Sequence, residues 1–252
     1  MITDFMRGFD AIRFVRERLG FHPDRMQQIV LCPGIRRGLL NCSRQWGKST
    51  VTAAKAVHCA WSNPESLVLV ASPGMRQTEE FLRKSSAFVR RLGLPVRGDG
   101  SNPHSLQFPN GSRIVGIPGT PDTVRGFSAV SLMLIDEAAW VSDELYQAVG
   151  PMLAVSDGDL WLISTPNGPR GFFYEEWTNG GDVWTRVRVP ASQFNRIPRR
   201  FLDEQRASIG ERAFSQEYEC EFVGAEGSLF HLDTVRRAID PQLKALELEE
   251  RW

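Results

Sequence analysis

The residues best suited to chemistry are Gly47, Lys48 and Ser49, which follow a mostly apolar run from Gly38 to Cys42 and open a helix-compatible segment. A polyphosphate needs backbone N–H groups around its β-phosphate, a helix start aimed at it, a lysine for the β/γ oxygens and a hydroxyl on Mg²⁺. Those three residues supply the last glycine, the amine and the hydroxyl. Cys42 stands where the G-x-x-x-x-G-K-[ST] pattern has its first glycine, and a Cβ there restricts a turn that glycine leaves free. The match is incomplete, and an ordinary strand-to-helix loop is the alternative.

A second cluster lies about ninety residues downstream, where the run from Val130 to Ile135 ends in Asp136 and Glu137. A mostly apolar run closed by two carboxylates suits a buried parallel strand that delivers acids to the C-terminal edge of an α/β sheet, where such sheets bind ligands. Asp136 would then hold the Mg²⁺ shell, and Glu137 would orient and deprotonate an attacking water. A strand-terminal Asp-Glu alone also serves to cap a following helix. In this order and at this separation, the two clusters together predict a nucleoside triphosphatase.

These residues need a frame, and the rest of the chain predicts one. Ser49 to Trp61 repeats small and apolar residues at helical spacing until Ser62-Asn63-Pro64 stops it, and Leu67 to Ser72 is a further buried strand. Strand, helix, strand in that order predicts a parallel sheet with a right-handed crossover. A helix over residues 75–92 sets Phe81, Leu82, Phe88, Val89 and Leu92 on one side and Arg76, Arg83, Lys84, Arg90 and Arg91 on the other. Residues 105–117 alternate about Pro109-Asn110-Gly111, a hairpin signal that puts Arg113 near the end of a β-ribbon. Further on, Asp143 to Leu153 reads as a helix, Asp159 to Ser164 as a core strand, and Val183 to Val189 as a half-exposed strand. Phe172 to Trp177 reads as an aromatic helix that packs rather than stacks on bases, because no basic residues are interleaved. Residues 4–20 carry an amphipathic helix closed by Gly20, and residues 197–220 two helical patterns split by Gly210.

Thirty basic residues balance thirty acidic ones in a chain of 252. That balance excludes a protein that coats nucleic acid with its whole surface and confines any DNA contact to a local patch. The candidates are Arg83, Arg90 and Arg91 on the basic helix face, with Arg113; a merely solvated face, or contact with a neighbouring subunit's acids, is the alternative. The 42% hydrophobic content allows a substantial core. Cys32, Cys42, Cys59 and Cys220 show no C-x-x-C spacing and read as reduced core thiols of an intracellular protein. No apolar run approaches the roughly eighteen residues of a membrane span, and the N-terminus has no signal-peptide pattern, so neither a membrane nor export is expected.

The loop Ser43-Arg44-Gln45-Trp46-Gly47-Lys48-Ser49-Thr50 resembles the deviant Walker A of the large terminase subunits of tailed phages, which often carry Arg-Gln before Gly-Lys and lack the first glycine. Ile135-Asp136-Glu137-Ala138-Ala139 resembles their Walker B, and Ile163-Ser164-Thr165-Pro166-Asn167-Gly168 their coupling motif. Asn110 to Ile114 is terminase-like as well, and Arg125-Gly126, with Arg125 twelve residues before Glu137, matches their Arg-Gly motif. The likeness covers about residues 20–223.

The resemblance implies an α/β fold: a P-loop NTPase of the ASCE type, its mainly parallel central sheet flanked by helices, with a small helical lid at about residues 190–223. ATP and Mg²⁺ are the implied ligands. Gln27, Ser43, Arg44, Gln45, Trp46, Gly47, Lys48, Ser49 and Thr50 would bind ATP; Ser49 and Asp136 would hold the metal. Gln27 would read the adenine, for which an amide offers the matching donor and acceptor; an exposed helix glutamine is the alternative. Glu137 would be the catalytic base, and Ser164 and Thr165 would sense the γ-phosphate, unless they simply form a turn ahead of a helix. Arg125 would be an arginine finger acting on a neighbouring subunit, with Arg44 as a rival within its own subunit and a surface salt bridge as the plain alternative.

On the same footing, residues 1–223 form an ATPase domain, and residues 224–252 a linker and tail toward an absent nuclease domain. Asp233 and Asp240 are isolated there, so no nuclease activity is expected, and a fragment cut at the linker is the expectation. The implied function is ATP hydrolysis powering translocation of double-stranded viral DNA into a capsid. The partners would be a portal protein, a small terminase subunit and further copies in a homo-oligomeric ring, in the host cytoplasm. A helicase-like DNA translocase, and a non-catalytic docking or DNA-binding module with a decayed phosphate loop, are the alternatives.

Overall fold

The computed structural model describes residues 11–120 and 126–224. Arg125, residues 4–10 of the expected amphipathic helix, and the tail with Asp233 and Asp240 lie outside them. Seven strands form one sheet, in the order β3 (Ser105–Gln107), β4 (Arg113–Pro118), β2 (Leu67–Ser72), β5 (Leu132–Asp136), β6 (Asp159–Ser164), β1 (Arg37–Cys42) and β7 (Thr185–Val189). Among the described residues β3 pairs antiparallel with β4, and the other pairings are parallel. The strand β6 lies between β1 and β5.

The strands are nearly continuous apolar runs because both faces are covered. Successive residues supply opposite layers: Leu40, Val68, Val70, Leu132, Leu134, Trp161 and Ile163 join one core cluster, while Leu39, Leu69, Ala71, Met133, Ile135, Leu160 and Leu162 join another. The first layer meets α1 (residues 11–17), α2 (Arg25–Leu31), α3 (Lys48–Ser62) and α4 (Met75–Arg91). The second meets α5 (Asp143–Ala154) and α6 (Gly171–Asn179), where Phe172, Phe173 and Tyr174 are buried, so the aromatic helix does pack. Gly38 is needed in β1 because a Cβ there would come within 2.2 Å of the Trp161 ring.

Beyond β7, a helical region with a small core of its own contains α7 (Arg199–Glu217), where Ile197, Phe214 and Tyr218 pack with Ala191. Gly210 breaks α7 with φ 79° and ψ 158°, a conformation open to glycine. This is the small helical lid.

Three local expectations are corrected. The strand expected from Val130 begins at Leu132, because Val130 N–H donates to Met152 O at the end of α5 instead of joining the sheet ladder. The last strand begins at Thr185, since Val183 is exposed. All four cysteines are free, but Cys32 is exposed and Cys59 only partly buried, so Cys42 and Cys220 alone are core thiols. No helix among the described residues is long and apolar enough to cross a membrane.

Candidate nucleotide site

Three parallel strands open on one edge, with Asn41 beside Ser164 and Asp136 beside Ile163. The strand ends therefore bring the phosphate loop, the acid pair and the Ser-Thr segment together.

The loop after β1 explains the missing glycine. Cys42 remains within the strand, with its side chain buried and Sγ 3.8 Å from Val187 O. Left-handed backbone occurs later, at Gln45 (φ 65°) and Gly47 (φ 103°), so Cys42 is not asked for a conformation that its Cβ disfavours. The strain falls on Gln45. Lys48 opens α3, and its Nζ donates to Cys42 O at 3.1 Å while lying 3.9 Å from Glu137 Oε1. Ser43 is buried, with its Oγ bonded to Arg44 O; the Trp46 ring is in the core; Thr50 N–H donates to Gly47 O in the first turn of α3.

The acid pair divides by environment. Asp136 is 5% exposed and accepts from Ser49 Oγ at 3.3 Å. Burial, and secondly the adjacent Glu137 charge, push its carboxyl up to about 6, against the pull of the Lys48 ammonium. Glu137 turns out of the strand at φ 52° and caps a short 3₁₀ turn, Ala138–Trp140. Its Oε2 accepts from Ser164 Oγ at 3.4 Å, and Ser164 Oγ in turn accepts from Ala139 N–H at 3.2 Å. Ser164 and Thr165 are both buried beside this turn.

Gln27 is fully buried, which overturns the reading as an exposed helix glutamine. Its backbone N–H donates to Asp24 Oδ1 and its Oε1 accepts from Asp24 N–H, forming the capping box of α2. The amide Nε2 donates to Trp46 O at 3.2 Å, so Gln27 touches the phosphate loop through its backbone.

The lid contributes residues that sequence reasoning missed. Arg196 donates to Trp46 O and pairs with Asp24 at 3.3 Å; Gln216 accepts from Gly168 N–H at 3.1 Å; Glu217 pairs with Arg44 at 2.5 Å. No local motif marks them, because their partners are remote in sequence.

The basic candidates are not gathered into one patch with the loop. Arg113 begins β4 beside Leu67, at the opposite edge of the sheet, and pairs with Asp99 at 3.2 Å. Arg83 pairs with Glu80 on its own helix, Arg91 donates to Leu19 O, and Arg90 is exposed.

Residues 39–237 match the family described as terminase large subunit, T4likevirus-type, N-terminal. The chain belongs to the large terminase subunit family. It is 26% identical over 251 residues to the terminase large subunit of Thermus phage G20c, covering 85% of this chain and 51% of that protein. The terminase chain thus spans about half the length of the curated relatives it matches. Among solved structures it is similar to the large terminase ATPase domain of Thermus phage P74-26, at a TM-score of 0.73 and 25% identity, covering 82% of this chain and 97% of that one. The large terminase of a thermophilic bacteriophage, solved in complex with ADP, shares the fold at a TM-score of 0.67 and 14% identity, covering 90% of this chain and 56% of that one. By the family match this chain corresponds to the N-terminal part of a large terminase subunit, and it has the fold of the P74-26 domain.

Proposed function

We propose that this terminase domain binds ATP with Mg²⁺ at the β1–β6–β5 edge and hydrolyses it to move double-stranded DNA into a viral capsid. The observation that carries the proposal is a convergence from three strand ends: Ser49 Oγ lies 3.3 Å from Asp136, Ser164 Oγ 3.4 Å from Glu137, and Lys48 Nζ 3.9 Å from Glu137.

The donor set fits Mg²⁺: one hydroxyl and one buried carboxylate, side by side, are what an ion that keeps waters and phosphate oxygens as its other ligands requires. Ser49 and Asp136 would hold the ion, which would neutralise charge on the β/γ oxygens. Glu137 takes the proton of an attacking water, Lys48 offsets charge on the phosphates, and Ser164 holds the base in place. Gln27 and Arg196 brace the loop behind the nucleotide through Trp46 O. Thr165 lies beside Ser164 as a further γ-phosphate contact. Arg125 is the finger given to a neighbour, with Arg44, paired with Glu217 in the structure, as its rival within the subunit.

In this reading residues 1–223 are the motor domain, with the lid at about 190–223. A portal protein, a small terminase subunit and a ring of further copies, in the host cytoplasm, complete the motor. ATP turnover measured with and without double-stranded DNA, at high protein concentration, tests the reading. Mg²⁺-dependent turnover that DNA stimulates is expected; ATP binding without turnover would leave a docking module with a decayed site.

A further inference from the structure

Ser72 ends β2, and the register of the sheet sets it beside the metal-binding carboxylate. Ala71 pairs with Ile135, so Ser72 stands level with Asp136 on a neighbouring strand about 4.8 Å away. Side chains alternate along both strands: Val68 and Val70 share a core layer with Leu132 and Leu134, and the same alternation turns Ser72 and Asp136 toward that layer, where α3 begins. Asp136 is thus flanked by two hydroxyls, Ser49 from the helix and Ser72 from the strand.

The two hydroxyls are used differently. Ser49 Oγ donates to Asp136 Oδ2 at 3.3 Å, and Asp136 Oδ1 accepts from Glu137 N–H at 3.2 Å. Ser72 is fully buried, yet its Oγ has no hydrogen-bond partner among the described residues. Its backbone is satisfied, since Ser72 O accepts from Gly119 N–H at 2.8 Å. Buried hydroxyls nearby are bonded as well, Thr78 to Ile117 O and Ser164 to Glu137. A buried hydroxyl left unmatched within the fold is unfavourable, and at the edge of a site it marks a place that a ligand group completes.

We infer that Ser72 is a positioning residue for the metal ion, its Oγ accepting a hydrogen bond from a water of the Mg²⁺ shell when Ser49 and Asp136 hold the ion. The inference rests on the proposed nucleotide site. Mg²⁺ gives up its waters reluctantly and keeps several of them in protein sites, and each such water needs acceptors for its two hydrogens. The neighbours of Ser72 in its own layer, Val70 and Leu134, are apolar and offer none. Ser72 supplies that acceptor from β2, which brings a fourth strand end into the site. It acts on the metal through water and leaves the phosphates to Lys48 and the loop.

The test is equilibrium binding of the non-hydrolysable analogue AMP-PNP, in EDTA and across a Mg²⁺ titration, to the wild-type chain, Ser72→Ala and Ser72→Cys, with thermal melts of each in metal-free buffer. Loss of the acceptor should raise the Mg²⁺ concentration that half-maximally strengthens binding by about three- to tenfold, the range expected for one hydrogen bond, and leave affinity in EDTA within about twofold. The metal-free melting temperature should not fall, because the hydroxyl holds nothing within the fold. Ser72→Cys, close in shape and a weak acceptor, should follow Ser72→Ala. A lowered metal-free melting temperature in both variants, or their failure to fold, would make the hydroxyl structural and overturn the assignment, as would an equal loss of affinity with and without Mg²⁺. Wild-type binding that Mg²⁺ strengthens, with the same Mg²⁺ dependence in both variants, sinks the Ser72 role alone. A wild-type chain that does not bind the analogue, or binds it without regard to Mg²⁺, sinks the proposed site and this inference with it.

Discussion

Ser164 Oγ, at the end of β6, stands 3.4 Å from Glu137 Oε2, just past the end of β5. The same hydroxyl accepts from Ala139 N–H, so it fixes both the carboxylate and the turn that carries it. A strand inserted between the phosphate loop and the acid pair is thereby what orients the Glu137 carboxylate. Ser164→Ala should lower the turnover rate about tenfold, equivalent to roughly 1.4 kcal/mol on the barrier. ATP affinity should stay within about twofold; an equal loss of affinity would instead make Ser164 a nucleotide ligand.

Glu137→Gln preserves the shape of the side chain and removes its basicity. Binding of ATP with Mg²⁺ should survive while single-turnover hydrolysis falls by about 10² to 10⁴. Parallel loss of both would show that Glu137 holds the structure rather than the water.

The raised carboxyl of Asp136, at about 6 against an ordinary 3.8, has a stability consequence with a definite sign. The folded state holds this proton more tightly than the unfolded state, so its contribution is present below the ordinary value and is lost as pH rises from about 4 to about 6. In metal-free buffer, Asp136→Asn should be more stable than wild type at pH 7, by roughly 2–3 kcal/mol, and no more stable at pH 4. Thermal melts across that range check the sign; an advantage independent of pH would mean that charge burial is not its source.

The four arginines proposed for DNA should behave differently from one another. Arg90 is exposed, and its replacement by Ala should reduce the salt dependence of DNA binding by about one phosphate contact, without regard to sequence. Arg113→Ala should act mainly on stability, by about 1–3 kcal/mol, because it strips an ion-pair partner from an Asp99 side chain that is only 3% exposed. Chemical denaturation and salt-titrated binding separate the two effects.

Arg125 and Glu137 offer a test of action between subunits. Arg125→Ala and Glu137→Gln should each be inactive, yet a mixture should regain part of the activity, because a subunit lacking its base still lends a finger to a neighbour with an intact site. No recovery under conditions where subunits assemble would favour Arg44 as the finger.

The central site was legible because its residues announce themselves locally. Lys48 and Ser49 follow an apolar strand, Asp136 and Glu137 end another, and Ser164 ends a third; parallel strands place such ends on one edge. The contacts from the lid were not legible. Arg196 and Glu217 look like ordinary surface charges until the lid folds back on the phosphate loop, and nothing in their neighbours encodes that approach. Gln27 was identified as a candidate, but its burial depends on the carbonyl of Trp46 arriving beside it. The tolerance of Cys42 was likewise hidden, since it follows from where the backbone turns left-handed and not from residue type.

The phosphate-loop strand β1 finds both of its sheet neighbours, β6 and β7, in segments made more than a hundred residues later. During synthesis, Lys48 therefore leaves the ribosome long before the ladder that positions it exists. Closing so long a loop is entropically costly and slow, and early local contacts cannot substitute for it. The geometry of the phosphate loop is then a late acquisition, complete only once translation has run past Val189 and the sheet has closed around its first strand.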